Sequence, residues 1–257
     1  MVDYAKAIKI PFLDAGKLFA GTFILLGFGA AGTIVSFMLS ILSVAGYTIA
    51  STIFSLVTSA LVYAIPTAFF VRLGINFSKK KFITPSWKDL GAMFVEGIQV
   101  IIISTIYYLP ISILTYVILG INPLTIQSQT PEMQQALAEN IITRLPLALL
   151  IILPLYLLLM YLMPVILLRF METKKFSKGF DFSTIFRKAF TVKYLAAWLI
   201  ALLLIIGLTI AVVILALILV ITIIGIIPLV VLVLPMYMYL LGVITYGIYG
   251  QAYGEVK

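Results

Sequence analysis

From Tyr194 to Gly254 the chain carries no Asp, Glu, Lys or Arg. Those 61 residues are mainly Leu, Ile, Val, Ala and Tyr. A hydrocarbon core of about 30 Å is crossed by about 20 helical residues, so this run is long enough for two crossings. Inside oil every backbone N–H and C=O needs an internal partner, which leaves helices as the expected form. The rest of the chain agrees: it is 63% hydrophobic and 10% charged, against roughly 25% charged in soluble domains.

Composition removes several chemistries. Cysteine and histidine are both absent, so disulfides, thiolate nucleophiles, imidazole bases and the commonest metal ligand are excluded. The nine carboxylates are scattered and show no metal-binding spacing. No catalytic residue, metal or cofactor is expected, and the chain reads as a non-enzyme. The net charge of +8 reads as membrane topology and not as nucleic-acid binding, because no soluble basic segment is interleaved with aromatics.

The apolar stretches predict six spans: Leu18–Ala45, Thr48–Leu73, Gly97–Gly120, Leu145–Phe170, Tyr194–Val220 and Ile226–Gly250. The first exceeds the roughly 7–15 residues of a signal-peptide core. With these spans, sixteen of the seventeen Lys and Arg fall on one side, and only Arg144 on the other. That asymmetry predicts an even number of crossings in the cell membrane, with both termini cytoplasmic. The outer side holds one long loop, 121–143, where Thr130-Pro131-Glu132 predicts a short helix from Pro131 to about Asn140.

Three segments ahead of the odd-numbered spans resemble one another. Asp14-Ala15-Gly16-Lys17-Leu18-Phe19 and Asp89-Leu90-Gly91-Ala92-Met93-Phe94 fit D-x-G-x-x-F, and Asp181-Phe182-Ser183-Thr184-Ile185-Phe186 fits with serine for glycine. Each even-numbered span carries a proline, Pro66, Pro164 or Pro235. The reading is a single all-α, polytopic transmembrane domain over 1–257, built as a threefold repeat of interfacial helix, span and span. Its units are about 3–74, 84–171 and 180–250. Trp87, Phe94 and Phe186 suit the acyl boundary of such amphipathic helices, and their lysines and arginines suit headgroups.

Two kinds of candidate site follow. Arg72, Lys79, Lys80, Lys81, Arg169, Lys174 and Lys175 are candidates for anionic lipid headgroups. Ser36 and Ser40 on span one, and Ser51, Ser55 and Ser59 on span two, form small polar stripes. Tyr239 and Tyr246 belong to an aromatic–glycine face on span six. These stripes serve helix packing or line a groove. Gly250 and Gly254 add a G-x-x-x-G.

Pro66…Arg72, Thr84-Pro85-Ser86-Trp87-Lys88-Asp89, Tyr107-Tyr108-Leu109-Pro110, Phe180-Asp181-Phe182 and Tyr249-Gly250-Gln251-Ala252-Tyr253 together resemble a prokaryotic, mostly archaeal family known only as a domain of unknown function. More distantly the chain resembles the six-span membrane domain of glycerophosphodiester phosphodiesterases. The resemblance implies a six-span helical membrane protein and transfers no active site. The expected role is a non-enzymatic lipid-interacting protein or a scaffold for partner proteins or a second copy. A permease or lipid translocator with a cavity between repeats is the alternative.

Overall fold

The computed structural model describes the backbone of residues 2–44, 48–121 and 131–256, and their side chains except at 35–44, 48–56, 59, 131–134 and 223. Its helices are α1 (Tyr4–Leu13), α2 (Ala15–Val44), α3 (Thr48–Ser78), α4 (Leu90–Leu119), α5 (Pro131–Thr173), α6 (Phe182–Ala189), α7 (Val192–Val220), α8 (Ile226–Pro228) and α9 (Leu234–Glu255). A π-helical turn, Leu229–Val233, joins α8 to α9. No strand occurs among the described residues. Six segments are long and apolar enough to cross a membrane: Ala15–Ile34, Ala60–Ser78, Leu90–Leu119, Gln135–Thr173, Val192–Val220 and Ile226–Glu255.

Local chemistry explains the helix ends. Asp14 lies between α1 and α2 and accepts the Lys17 N–H at 3.0 Å, satisfying a donor that the first turn leaves free. Asp181 accepts the Thr184 N–H at 3.4 Å, and Thr191 accepts that of Tyr194 at 3.3 Å. At the other end of α4, Gly120 turns left-handed at φ 66°, and Ile121 N–H reaches back to Tyr116 C=O, the usual glycine C-cap. Lysines adopt the same backbone after α3 and α5: Lys80 at φ 59° and Lys174 at φ 56°. There Lys81 N–H bonds Asn76 C=O at 2.8 Å, and Lys174 N–H bonds Phe170 C=O at 2.8 Å.

Two expectations need correction. Asp14 and Asp89 do not open separate helices; they stand immediately before the long helices α2 and α4. Only Asp181 caps a short helix of its own, α6. Between α3 and α4 the chain is turn and coil, where Pro85 lacks a donor and biases Thr84 away from helix. The helix expected over Pro131–Asn140 is instead the start of α5, which runs unbroken for 43 residues. Asn140 and Arg144 donate to Leu119 and Ile118 carbonyls at the end of α4, which holds this stretch in line with the span. Pro146, Pro154 and Pro164 all lie inside α5, and prolines are tolerated in membrane helices because neighbours satisfy the freed carbonyls.

α3 and α9 form the centre. Gly250 meets the backbone of Gly74, and Gly254 that of Ser78, so these helices touch with no side chain between them. Gly97 of α4 meets the backbone of Ala64 on the other face of α3. The G-x-x-x-G of span six therefore sits at a close helix crossing. Gln251 is buried and clamps the N-terminal segment: Asp3 N–H donates to its Oε1 at 2.6 Å, and its Nε2 donates to Asp3 C=O at 3.0 Å. Lys6 lies over the Phe82 ring. These contacts gather both ends of the chain and the 79–89 segment at one end of the bundle.

The core crowds toward that same end. On α4 no described residue past Ile103 is buried, and on α7 none past Ala201. Buried residues on α5 concentrate in Leu159–Met171. The opposite halves of these helices expose Leu, Ile and Val to their surroundings, as helices in a hydrocarbon solvent do.

Candidate functional site

At the basic end two charge clusters tie the helices together. Glu96 of α4 is the hub of the first. It accepts from Arg72 Nε of α3 at 2.5 Å and from the Lys174 ammonium beyond α5. Arg72 also reaches Asp89 at 3.5 Å. Only 14% of the Glu96 side chain is exposed, so water screens this triad little. Burial pushes the Lys174 ammonium below the ordinary lysine value, and Glu96 works against that shift.

Arg169 of α5 is the hub of the second cluster. Its guanidinium donates to Glu172 at 3.2 Å and to Asp181 at 3.1 Å. Tyr253 OH of α9 donates to Glu172 Oε2 at 2.5 Å. Lys188 of α6 donates to the Tyr253 and Val256 carbonyls and lies 3.9 Å from the Tyr253 ring centroid. Burial lowers the Lys188 pKa.

The Arg169 guanidinium, joined by Lys178 and the Thr184 donors, pulls the Asp181 carboxyl from 3.8 down to about 2. A depressed folded-state pKa adds stability above the unfolded value and loses it as pH falls through the folded one. The thermal-stability difference between the native protein and Asp181→Asn is therefore expected to be constant above about pH 4 and to vanish toward about pH 2. A series of melting curves in detergent over that range checks it; a difference independent of pH refutes the pairing.

Aromatic side chains skirt this end. Phe182, Phe186 and Phe190 form a ladder with centroids 6.1 and 5.8 Å apart, and all three are exposed. Tyr107 of α4 meets the first rung and Tyr161 of α5 the last. Basic side chains stand beside the ladder: Arg187 and Lys188 lie on α6 itself, and Lys178 just before it.

The residues expected at headgroups divide into two sets. Arg72, Arg169 and Lys174 are engaged by carboxylates within the bundle. Lys79, Lys80, Lys81 and Lys175 have no ion-pair partner among the described residues. Trp87 is turned inward and stacks on Phe69 at 3.9 Å, pinning the 79–89 segment to α3. Phe94 is half-buried, whereas Phe19 and Phe186 are exposed. Ser36, Ser40, Ser51, Ser55 and Ser59 lie outside the described side chains. Tyr239 is buried, its ring against the backbone of Gly21.

Tyr246 stacks on Phe70 and lines a cavity of about 870 Å³ between α2, α3 and α9. Sequence reasoning offered a groove at Tyr246 but not the set of helices that encloses it. Its walls come from three segments far apart in the chain, and only the two helices of the first hairpin are neighbours in sequence. The hub role of Glu96 was also unread, because its cationic partners come from α3 and from beyond α5.

An all-helical chain with six spans, its two ends meeting on one side, is a multi-pass membrane protein in class. The chain belongs to the DUF4013 family, described as a protein of unknown function, which matches residues 52–220. No curated protein and no solved structure matches. The family match takes in α4 to α7 and most of α3, while α1, α2 and α9 lie outside it.

Proposed function

We propose that this is a non-enzymatic, lipid-interacting protein of the cell membrane with both termini in the cytoplasm. Its basic end rests on the anionic cytoplasmic leaflet and offers partner proteins, or a second copy, a fixed platform. The observation that carries this reading is the exposed Phe182–Phe186–Phe190 ladder beside Arg187. Exposed rings beside a cation suit the acyl boundary and the headgroups, as in an in-plane amphipathic helix. Lys79, Lys80, Lys81 and Lys175 add positive charge at the same end, each worth about 1 kcal/mol near an anionic surface.

The carboxylates of the basic end face cations, which supports a structural use for them and speaks against catalysis. The threefold repeat belongs to the same proposal. Its support is that Asp14, Asp89 and Asp181 each stand directly before a helix, and that α3 and α5 both run from a proline through an arginine to a left-handed lysine.

The test is native mass spectrometry of protein taken from vesicles of phosphatidylglycerol and phosphatidylcholine. Retained phosphatidylglycerol is expected to fall when Lys79, Lys80, Lys81 and Lys175 become glutamate. Unchanged retention overturns the headgroup reading. Because the chain has no cysteine, Lys80→Cys and Lys175→Cys give single labelling sites. Both should react with an impermeant thiol reagent only from the cytoplasmic side.

A further inference from the structure

From the cavity between α2, α3 and α9 we infer that the protein binds a lipid acyl chain there, recognised by its tail and not by its headgroup. The cavity lies within the stretches that cross the membrane, Ala15–Ile34, Ala60–Ser78 and Ile226–Glu255. It is therefore continuous with the hydrocarbon-facing surface.

No Asp, Glu, Lys or Arg is among the residues that line it. Five hydroxyls line it, those of Tyr63 and Tyr246 and of three threonines, and the threonine hydroxyls are already spent on their own helices. Thr33 donates to Gly29 C=O at 3.0 Å, Thr67 to Tyr63 C=O at 2.6 Å, and Thr245 to Leu241 C=O at 2.7 Å. A polar solute entering here would lose its water and find few partners, a penalty that an alkyl chain does not meet. Tyr246 stacks on Phe70 in the cavity wall, and the lining residues Ile34, Tyr63 and Met238 are exposed.

Size selects the occupant further. The volume of about 870 Å³ falls within the roughly 300–1,000 Å³ of small-molecule sites. A crossing helix about 10 Å wide and 30 Å long occupies roughly 2,400 Å³, so a partner's span does not fit. A flexible chain does. The π-helical turn Leu229–Val233, a local geometry frequent at functional sites, borders the cavity through Val230.

Gly29 provides the test. It lines the cavity, and a Cβ built on it meets nothing within 4 Å. Gly29→Phe is therefore expected to occupy much of the space, and Gly29→Leu less of it. Gly27 has equal room but does not line the cavity, so Gly27→Phe is the control. The full chain is reconstituted in phosphatidylcholine vesicles doped with a phosphatidylcholine carrying a diazirine on one acyl chain. After irradiation, adducts are mapped by peptide mass spectrometry.

Adducts are expected to concentrate at Met238, Tyr63 and Thr67 over exposed α7 positions such as Ile210 and Leu217. Gly29→Phe should lower them about tenfold, the effect of losing roughly 1.4 kcal/mol of binding. Gly29→Leu should lower them less, and Gly27→Phe not at all. Replacing the probe by its phosphatidylglycerol counterpart should leave the pattern unchanged, which separates this site from the headgroup reading.

Equal labelling of the cavity and α7 overturns the inference. So does labelling indifferent to Gly29→Phe, labelling that follows the headgroup, or a covalent dimer formed through the same residues. If Gly29→Phe does not fold, Gly29→Leu against Gly27→Leu decides.

Discussion

Glu96→Gln is expected to destabilise the folded protein by about 3 kcal/mol, between the 0–1 of exposed ion pairs and the 3–5 of fully buried ones. The substitution keeps the shape of the side chain and removes its charge. Arg72 and Lys174 then lose the anion between them; Lys174 is half exposed, but Arg72 is largely buried and keeps only Asp89. The loss comes from stranding two cations, so removing one of them should restore stability. Arg72→Leu combined with Glu96→Leu is expected to recover more than half of the effect, as buried ion pairs replaced by apolar groups commonly do. Thermal unfolding in detergent reads both variants. A Glu96→Gln protein that melts with the native one removes the triad from the account of what joins α3, α4 and α5.

The second large effect concerns the α3–α9 crossing. A methyl group at Gly250 would fall on the carbonyl of Gly74, and backbone cannot rotate aside as a side chain can. Gly250→Ala is expected to cost about 2–3 kcal/mol, at the upper end for overpacking. The sign should reverse at Gly91, where a new Cβ meets nothing within 4 Å and relief of backbone entropy favours alanine by about 0.5–1 kcal/mol. Equal melting temperatures for Gly250→Ala and Gly91→Ala would show that the two helices stand further apart than described.

How much of this was legible in the residues follows from the range of each interaction. The charge-free run from Tyr194 to Gly254 announces two crossings because exclusion of charge from hydrocarbon acts on every residue of it. Asp14 and Asp181 mark helix starts because capping is settled within three residues. The α9 glycines mark a close approach for the same local reason, the missing Cβ. Glu96 is different. Its partners lie 24 and 78 residues away, and nothing near Glu96 in sequence names Lys174.

The end of α5 was hidden for a subtler reason. Residues 131–144 are polar enough to read as a loop, yet Asn140 and Arg144 find carbonyls on α4 that only the folded hairpin supplies. The cavity combines three helices and could not be read from any one of them.

The lopsided core has a mechanical corollary. Interlocked packing, both salt-linked clusters and the Asp3–Gln251 clamp all lie toward one end of the described helices, so that portion should resist deformation as a single rigid wedge. The other halves of α4, α5 and α7, which bury few side chains, should spread or close more readily with lateral pressure in the bilayer. Thinner or more strongly curved bilayers would then change their splay while leaving the wedge intact, making bilayer thickness a mechanical input to this protein.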